Sequence, residues 1–274
     1  MLFRSVLFCG DVVGRAGREA VIRNVPDLRR KLDLDFVFVN GENAAAGFGI
    51  TDKLAQEFYA AGVDCITTGN HVWDQRELIG TIDRDPRLLR PANFPKGTPG
   101  RGVGVYTTKR GRKVAVVNVM TRLFMDPLDD PFAALEAFFA QHRLGAGGMN
   151  ALLVDVHGEA TSEKMALGHL SDGRASLVVG SHSHVPTADA QVLPGGTGYQ
   201  TDAGMCGDYD SVIGMKKEVA VARFVRKMPG ERLTPAEGDA TVCAIYAELD
   251  DTTGFTRKIG PVRIGGRLSP AWPT

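Results

Sequence analysis

Five short apolar runs along the chain each end in a polar cluster. Their polar ends are, in chain order, Gly10-Asp11, Gly41-Glu42-Asn43, Gly69-Asn70-His71, Asp155-Val156-His157 and Gly180-Ser181-His182-Ser183-His184. Runs of β-branched and other apolar residues that close in this way are typical of buried strands, and open α/β sheets bind ligands at the carboxyl ends of their strands. The pattern therefore predicts five strands that bring Asp, Glu, Asn and His side chains to one edge.

The first 70 residues predict alternating strands and helices. After the first strand we expect a turn over 14–17, a helix over 18–31 and a strand over 35–40. Thr51 suits the N-cap of a second helix that ends at Ala61, and a third strand follows. This β-α-β-α-β order predicts a parallel sheet.

The rest of the chain predicts more strands than helices. The pattern indicates a hairpin over 102–119, helices over 130–143 and 162–169, and strands from Ala151 and from Ala175. Antiparallel strands are expected in the C-terminal third, at 191–193, 219–225, 240–249 and 255–264. An α/β half followed by a β-rich half predicts an α/β protein with two sheets packed face to face and helices outside. No linker is evident, so we expect a single domain over residues 1–274.

Composition and charge exclude several classes of function. The chain has 274 residues, 43% of them hydrophobic and 23% charged, and its formal net charge is zero. Without a basic stripe we expect no direct binding of long nucleic acids. No run approaches membrane-spanning length and Gly10 interrupts the N-terminus before a signal-peptide core could form, so we expect a cytoplasmic protein without membrane contact. The four scattered cysteines argue against a disulfide framework or a zinc-thiolate site.

Four of the six histidines fall in the polar clusters: His71, His157, His182 and His184. On an extended backbone the last two would face the same side, although a bend after Gly180 could aim them at two neighbouring ions. Imidazole with Asp, Glu and Asn ligands, without thiolate, suits manganese, iron or zinc. Six or seven such ligands favour two ions, about 3.5 to 4 Å apart, that hold a water or hydroxide nucleophile. Two divalent ions contribute +4, while Asp11, Glu42 and a bridging hydroxide contribute −3, which leaves a site of about +1 and indicates phosphoester hydrolysis.

The order of these clusters along the chain and their residue sequences resemble those of the calcineurin-like metallophosphoesterases. The resemblance is closest to their YmdB-like branch, bacterial phosphodiesterases associated with 2′,3′-cyclic nucleotides. The resemblance extends from Asp11 to the segment 202–207. The motif Asn40-Gly41-Glu42-Asn43-Ala44-Ala45 is specific to that branch. The resemblance implies a four-layer αββα sandwich of two packed mixed β-sheets flanked by helices, with a dinuclear metal centre between the loops.

Carried over by position, the resemblance implies a role for each candidate ligand. The first ion would be held by Asp11, Asn43 and His184, the second by Asn70, His157 and His182, and both by the bridging Glu42. Iron and manganese are the preferred ions, with zinc as an alternative. His71 follows a ligand directly and is left to protonate the leaving oxygen or to steady the phosphoryl charge. The other interpretation of His71 is support of a neighbouring ligand.

Two departures from the broader superfamily bear on the ligand set. The usual Asp-x-His opening is Asp11-Val12-Val13 here, so Asn43 would have to replace a histidine ligand, and Glu42 stands where the superfamily has a bridging aspartate. The YmdB-like branch shares both changes. The aspartate that commonly follows the Gly-Asn-His segment is Val72 here, which leaves Asp74 as the candidate to orient His71.

Three other residues bear on the substrate. Phe48, between two glycines, is either a rim residue that stacks a base or a packed loop residue. Asn93, in the proline-bounded segment 90–95, either frames the site or reaches the phosphate. Arg15 could assist substrate binding, but its glycine loop has neither P-loop nor dinucleotide spacing, so binding of nucleoside triphosphates or NAD is not expected.

The sequence thus predicts a dinuclear metal-dependent phosphodiesterase that hydrolyses small phosphodiesters, with 2′,3′-cyclic nucleotides as the expected substrates. A metal-bound hydroxide would attack in line, with His71 as general acid. Two alternatives stay open: a phosphomonoesterase such as a 5′-nucleotidase, and a nucleotide-sensing regulatory protein with little turnover that engages an RNA-processing partner. The sequence leaves the oligomeric state undetermined and is compatible with a homo-oligomer.

Overall fold

The computed structural model describes residues 4–228 and 230–273. Within them the helices are α1 (Gly14–Lys31), α2 (Asp52–Ala60), α3 (Pro131–Gln141), α4 (Thr161–Leu170) and α5 (Lys217–Arg226), with short 3-10 helices at Arg76–Gly80 and Ile82–Arg84. The strands are β1 (Arg4–Cys9), β2 (Asp11–Val12), β3 (Phe36–Asn40), β4 (Cys65–Thr67), β5 (Val103–Thr107), β6 (Lys113–Met120), β7 (Ala151–His157), β8 (Leu177–Ser181), β9 (Gln191–Val192), β10 (Gly198–Gln200), β11 (Met205–Asp208), β12 (Ala240–Leu249) and β13 (Thr256–Ile264). None of the described helices combines the length and apolarity needed to cross a membrane.

The described strands form two mixed sheets. The first sheet has the order β2-β11-β12-β1-β3-β4, with β13 beside β12, and the second has the order β5-β6-β7-β8-β10-β9. Strands β1, β3 and β4 run parallel in the first sheet, and β6, β7 and β8 run parallel in the second. Strand β12 is antiparallel to both β1 and β13.

Apolar side chains pack in three layers. Between the sheets, Phe8 and Phe38 of the first sheet share one buried cluster with Val116, Leu153 and Val179 of the second. Helices α1 and α2 cover the outer face of the first sheet, and α3 and α4 cover that of the second. Strands buried on both faces form continuous apolar runs, which is the pattern seen in the sequence. The expected four-layer αββα sandwich is confirmed.

Helix α1 begins at Gly14, so the turn expected over 14–17 is wrong. Its glycines serve close packing: a side chain on Gly17 would overlap the carbonyl oxygen of Cys206. The Gly14 amide donates a hydrogen bond to the Asn43 carbonyl (2.9 Å). The start of the helix is therefore tied to the loop after β3.

The strand expected over 219–225 is wrong, because this segment lies within α5. Alternating valine and alanine favoured a strand, but Phe224 and Val225 are 74% and 77% exposed, and Ala220 is the buried residue of the helix. A helix satisfies its backbone hydrogen bonds internally and needs no partner strand. The C-terminal third is also less antiparallel than expected, since β10 pairs parallel with β8, and β11 with β2.

Other local predictions are confirmed. The Thr51 hydroxyl caps α2 by accepting a hydrogen bond from the Leu54 amide (3.2 Å). The hairpin expected over 102–119 is formed by the antiparallel pair β5 and β6. Helices α3 and α4 lie where helical spacing predicted them.

Candidate metal centre

The predicted site residues lie at the carboxyl ends of strands in both sheets. They are Asp11 after β1, Glu42 and Asn43 after β3, Asn70 and His71 after β4, His157 at the end of β7, and His182 and His184 after β8. The carboxyl ends of parallel strands share one edge of a sheet, and the face-to-face packing brings the edges of the two sheets together. The expected meeting of five polar strand ends is therefore found.

His157 is the centre of the tightest group. Its Nε2 lies 3.0 Å from Glu42 Oε1, 3.1 Å from Asn70 Oδ1 and 3.1 Å from His182 Nδ1. Ligand atoms of one transition-metal ion are about 3 Å apart when each lies about 2.1 Å from the ion. Glu42, His157 and His182 form a group that could hold such an ion, since their ligand atoms all lie within 4.8 Å of one another.

Asp11 and His184 form a second part of the site. The buried carboxylate of Asp11 accepts hydrogen bonds from the His182 backbone amide (3.0 and 3.2 Å), and its Oδ1 lies 3.9 Å from His184 Nε2. His184 Nδ1 lies 2.7 Å from the Ile213 carbonyl, which makes Nδ1 the protonated nitrogen. The Nε2 lone pair is then free to bind an ion on the Asp11 side.

The Asn43 side chain offers an unused acceptor. Its Nδ2 donates to the Gly47 carbonyl (3.0 Å). Its Oδ1 is buried and has no hydrogen-bond partner in residues 4–228 and 230–273. Buried polar atoms normally have a partner, so this oxygen fits a metal ligand. The donor set of carboxylate, amide oxygen and imidazole suits manganese, iron or zinc.

A buried polar network contacts His157 at Nδ1, the ring nitrogen that does not face the ligand group. Its Nδ1 lies 2.9 Å from Ser181 Oγ, and that hydroxyl donates to Asp155 Oδ1 (2.7 Å). Asn40 Nδ2 donates to the other oxygen of the Asp155 carboxylate (3.1 Å). Such partners fix the orientation of a ligating imidazole and leave its other nitrogen for the ion. Sequence reasoning did not assign these residues a role, although all three lie in or beside the polar clusters.

His71 lies beside the ligand group. Its backbone amide donates to Glu42 Oε2 (3.2 Å), and its Nδ1 lies 2.9 Å from Asp74 Oδ2. The ring also contacts Phe48 edge to face, with 5.2 Å between the ring centres. Asp74, the candidate from the sequence, is therefore the carboxylate that contacts this ring. Among residues 4–228 and 230–273, no hydrogen bond involves the Nε2 atom of His71.

The titration of the site follows from its burial. Burial raises the pKa of Asp11 to about 6, against the lowering effect of nearby histidines. Burial also opposes the charge of Glu42, but His157 and the other histidines lower its pKa to about 2. Burial is the strongest single influence on His157, yet the carboxylates around it together raise its pKa to about 9. Burial and the charge of His157 lower the pKa of His182 to about 3.

Asn93 and Arg15 lie outside this arrangement. Asn93 is buried and donates to the carbonyls of Met120 (2.8 Å) and Asp129 (2.9 Å), which supports the framing role rather than contact with a phosphate. Arg15 is exposed and lies 3.5 Å from Glu237. Its guanidinium is therefore engaged away from the ligand group.

The chain is similar to known proteins along nearly its whole length. The profile of the family described as YmdB-like protein matches residues 7–262. A 2′,3′-cyclic-nucleotide 2′-phosphodiesterase of Bacillus subtilis is 46% identical over 259 residues, 94% of this chain and 96% of that protein. A crystal structure of a hypothetical protein from Thermus thermophilus superposes with a TM-score of 0.88 at 42% identity, covering 96% of this chain and 100% of that one. The crystal structure of a phosphatase from Mycoplasma pneumoniae superposes with a TM-score of 0.88 at 31% identity, covering 97% of this chain and 94% of that one. This chain therefore belongs to the YmdB-like family of metallophosphoesterases.

Proposed function

We propose that this chain is a dinuclear metal-dependent phosphodiesterase that hydrolyses small phosphodiesters, with 2′,3′-cyclic nucleotides as its substrate class. The observation that carries the proposal is the convergence of Glu42 Oε1, Asn70 Oδ1 and His182 Nδ1 on His157 Nε2, each within 3.1 Å. The name of the Bacillus subtilis relative supports the substrate class.

In this proposal the ligands divide into two sets. Asp11, Asn43 and His184 would hold one ion, Asn70, His157 and His182 would hold the other, and Glu42 would contact both. When bound, manganese, iron or zinc ions lower the pKa of a bound water and polarise the phosphoryl oxygens. The 3.9 Å between Asp11 Oδ1 and His184 Nε2 and the unpartnered Asn43 Oδ1 support the first set.

His71 acts as the general acid. The Asp74 carboxylate accepts a hydrogen bond from Nδ1, which directs Nε2 and its proton toward the leaving oxygen. The link from the His71 amide to Glu42 Oε2 holds this proton donor at a fixed position relative to the ligand group. Cleavage of the bond from phosphorus to the 2′-oxygen needs such a proton because an alkoxide is a poor leaving group.

Phe48 forms one wall for the nucleoside. Its loop is fixed by hydrogen bonds from the Phe48 amide to the Ala45 carbonyl (3.0 Å) and from Gln75 Nε2 to the Phe48 carbonyl (2.7 Å). The guanidinium of Arg232 lies 5.9 Å from the ring centre. A half-buried aromatic ring beside the proton donor suits a base, because stacking on an aromatic ring contributes about 1–3 kcal/mol.

The first experiment tests the metal centre and the acid. Wild type, Asn70→Ala, His71→Ala and the control His169→Ala are loaded with Mn²⁺, and metal content and hydrolysis of 2′,3′-cyclic AMP are measured. Asn70→Ala should lose metal and activity together. His71→Ala should keep its metal but lose about 10²- to 10⁴-fold in kcat, and that loss should shrink with a p-nitrophenyl ester, whose leaving group needs no proton. The exposed His169 should be dispensable.

Three results would contradict the proposal in different ways. Metal-replete wild type without phosphoester hydrolysis would refute the catalytic assignment, and tight nucleotide binding without turnover would favour the regulatory alternative. Faster hydrolysis of a 5′-monoester than of any diester would assign a phosphomonoesterase.

Phe48→Ala should raise KM for 2′,3′-cyclic AMP about tenfold. The same variant should leave KM for ethylene phosphate, a cyclic diester without a base, unchanged.

A further inference from the structure

We propose that Lys164 and Asp202 form a buried ion pair that holds the His182 backbone in its metal-binding conformation. Both would be positioning residues for the metal centre, and the inference rests on the proposed function. Lys164 lies on α4 and Asp202 follows β10. Their Nζ and Oδ2 atoms are 2.8 Å apart, and each side chain is 1% exposed.

The pair contacts the backbone on both sides of His182. Lys164 Nζ donates to the Ser181 carbonyl (2.7 Å), and the Ser183 amide donates to Asp202 Oδ2 (3.1 Å). The two peptide groups that flank His182 are therefore each held by one member of the pair.

The backbone of His182 needs such support because it is strained. Its φ angle is 97°, in the left-handed region that side chains other than glycine rarely adopt. In this conformation the His182 amide donates to Asp11 while its Nδ1 lies 3.1 Å from His157 Nε2. Strained residues of this kind persist when the surrounding structure over-determines them, and they cluster at functional sites.

Asp202 also reaches the other part of the site. Its Oδ1 accepts a hydrogen bond from the Gly204 amide (2.8 Å), and the Gly204 carbonyl accepts one from the Asp11 amide (3.1 Å). One carboxylate thus links the backbones of Asp11 and His182, which belong to different ligand sets in the proposed centre.

Charge accounts for the choice of these residue types. The Asp202 carboxylate accepts from one ammonium and two backbone amides, and charge-assisted bonds of this kind hold geometry more strongly than neutral ones. The lysine stem reaches Asp202 past Gly180, where a β-carbon would lie 3.1 Å from Lys164 Cδ. The absence of a side chain at Gly180 thus leaves room for the pair.

The test separates positioning from stability. Mn²⁺ affinity is measured by isothermal titration calorimetry, and urea unfolding in EDTA is measured alongside, for Lys164→Met, Asp202→Asn and the double variant. Each single variant should bind Mn²⁺ about 10- to 100-fold more weakly, as expected for partners of metal ligands. The double variant leaves no unpaired buried charge, so it should recover stability relative to the single variants but not Mn²⁺ affinity.

Asp172→Asn is the matched control. Asp172 also accepts two backbone amides, from Gly195 (2.8 Å) and Thr197 (3.3 Å), but at the opposite end of β10. This variant should bind Mn²⁺ as wild type does. Wild-type Mn²⁺ affinity in a folded single or double variant would overturn the inference and leave the proposed function standing.

The proposed function can fail separately. If wild type binds Mn²⁺ but hydrolyses no phosphoester, the catalytic proposal fails, while a loss of affinity in the variants would still support the ion pair. If wild type binds none of Mn²⁺, Fe²⁺ and Zn²⁺, both proposals are wrong.

Discussion

Metal binding should expel about one proton from the His157 side chain. In the metal-free protein the carboxylates around His157 raise its pKa to about 9 against the effect of burial, so the ring is protonated at pH 7.5. A metal ion at Nε2 needs the lone pair that this proton occupies. His182 adds no further proton, since burial and the charge of His157 lower its pKa to about 3.

The size of the effect follows from the pKa of His157. At pH 7.5 a group with a pKa of about 9 is about 97% protonated, so proton competition weakens apparent metal affinity about 30-fold, or about 2 kcal/mol. Between pH 8.5 and 6.5 the apparent affinity should fall about tenfold for each unit of pH. Near pH 6 the slope should steepen, because burial raises the pKa of Asp11 to about 6 and its carboxylate begins to bind a proton as well.

The assay is calorimetric titration with Mn²⁺ in two buffers of different ionisation enthalpy at the same pH. The difference in heat between the buffers reports the number of protons released, of which His157 should contribute about one at pH 7.5. His157→Gln carries no titrating ring at this position and should release about one proton fewer than wild type, however weakly it binds. Equal heats in both buffers, with affinity constant from pH 6.5 to 8.5, would refute the reasoning about the Glu42–His157 pair.

Three further outcomes test the fold and the site. Removal of metal with EDTA should abolish hydrolysis and lower the melting temperature, because an ion that binds only the folded chain stabilises it by about 2.7 kcal/mol at 100 times its Kd. Gly180→Ala should lower the free energy of unfolding by about 1–3 kcal/mol in a urea titration, because its methyl group would overlap the Thr201 carbonyl oxygen. The control Gly80→Ala places its methyl group in open space and should change the free energy of unfolding little. Asp74→Asn should lower kcat about tenfold to 100-fold at unchanged metal content, because it removes the carboxylate that aligns His71; an unchanged kcat would show that this contact is dispensable.

The parts of this protein that could be predicted from its sequence depend on local rules. Apolar runs ending in polar clusters indicated the strands, and the shared edge of parallel strands predicted that Glu42 and His157 would meet although they lie 115 residues apart. The same reasoning failed at 219–225, where alternation of valine and alanine fits a strand as well as a helix. Periodicity over seven residues does not report whether a partner strand lies alongside.

The Lys164–Asp202 pair could not be predicted in this way. A lysine in a helical segment ordinarily indicates a solvated face, and only the packing of α4 against β8 shows that Lys164 is buried. Asp202 lies in a segment that the family resemblance covered, yet its carboxylate acts through backbone groups of other loops. Neither role leaves a signal in residue type or spacing.

The bend at the two histidines after β8 shows why the same limit applies to the metal centre. A turn of the backbone after Gly180 was one option that the sequence allowed, and the structure has it, with φ angles of 97° at His182 and 64° at His184. The bend sends the first ring toward His157 and the second toward Asp11. Since both residues prefer other backbone conformations, the bend must be imposed by hydrogen bonds from β2, α4 and the segment after β10. The chemical types of the candidate ligands can thus be identified locally, whereas which of them come together depends on contacts that only the folded chain supplies.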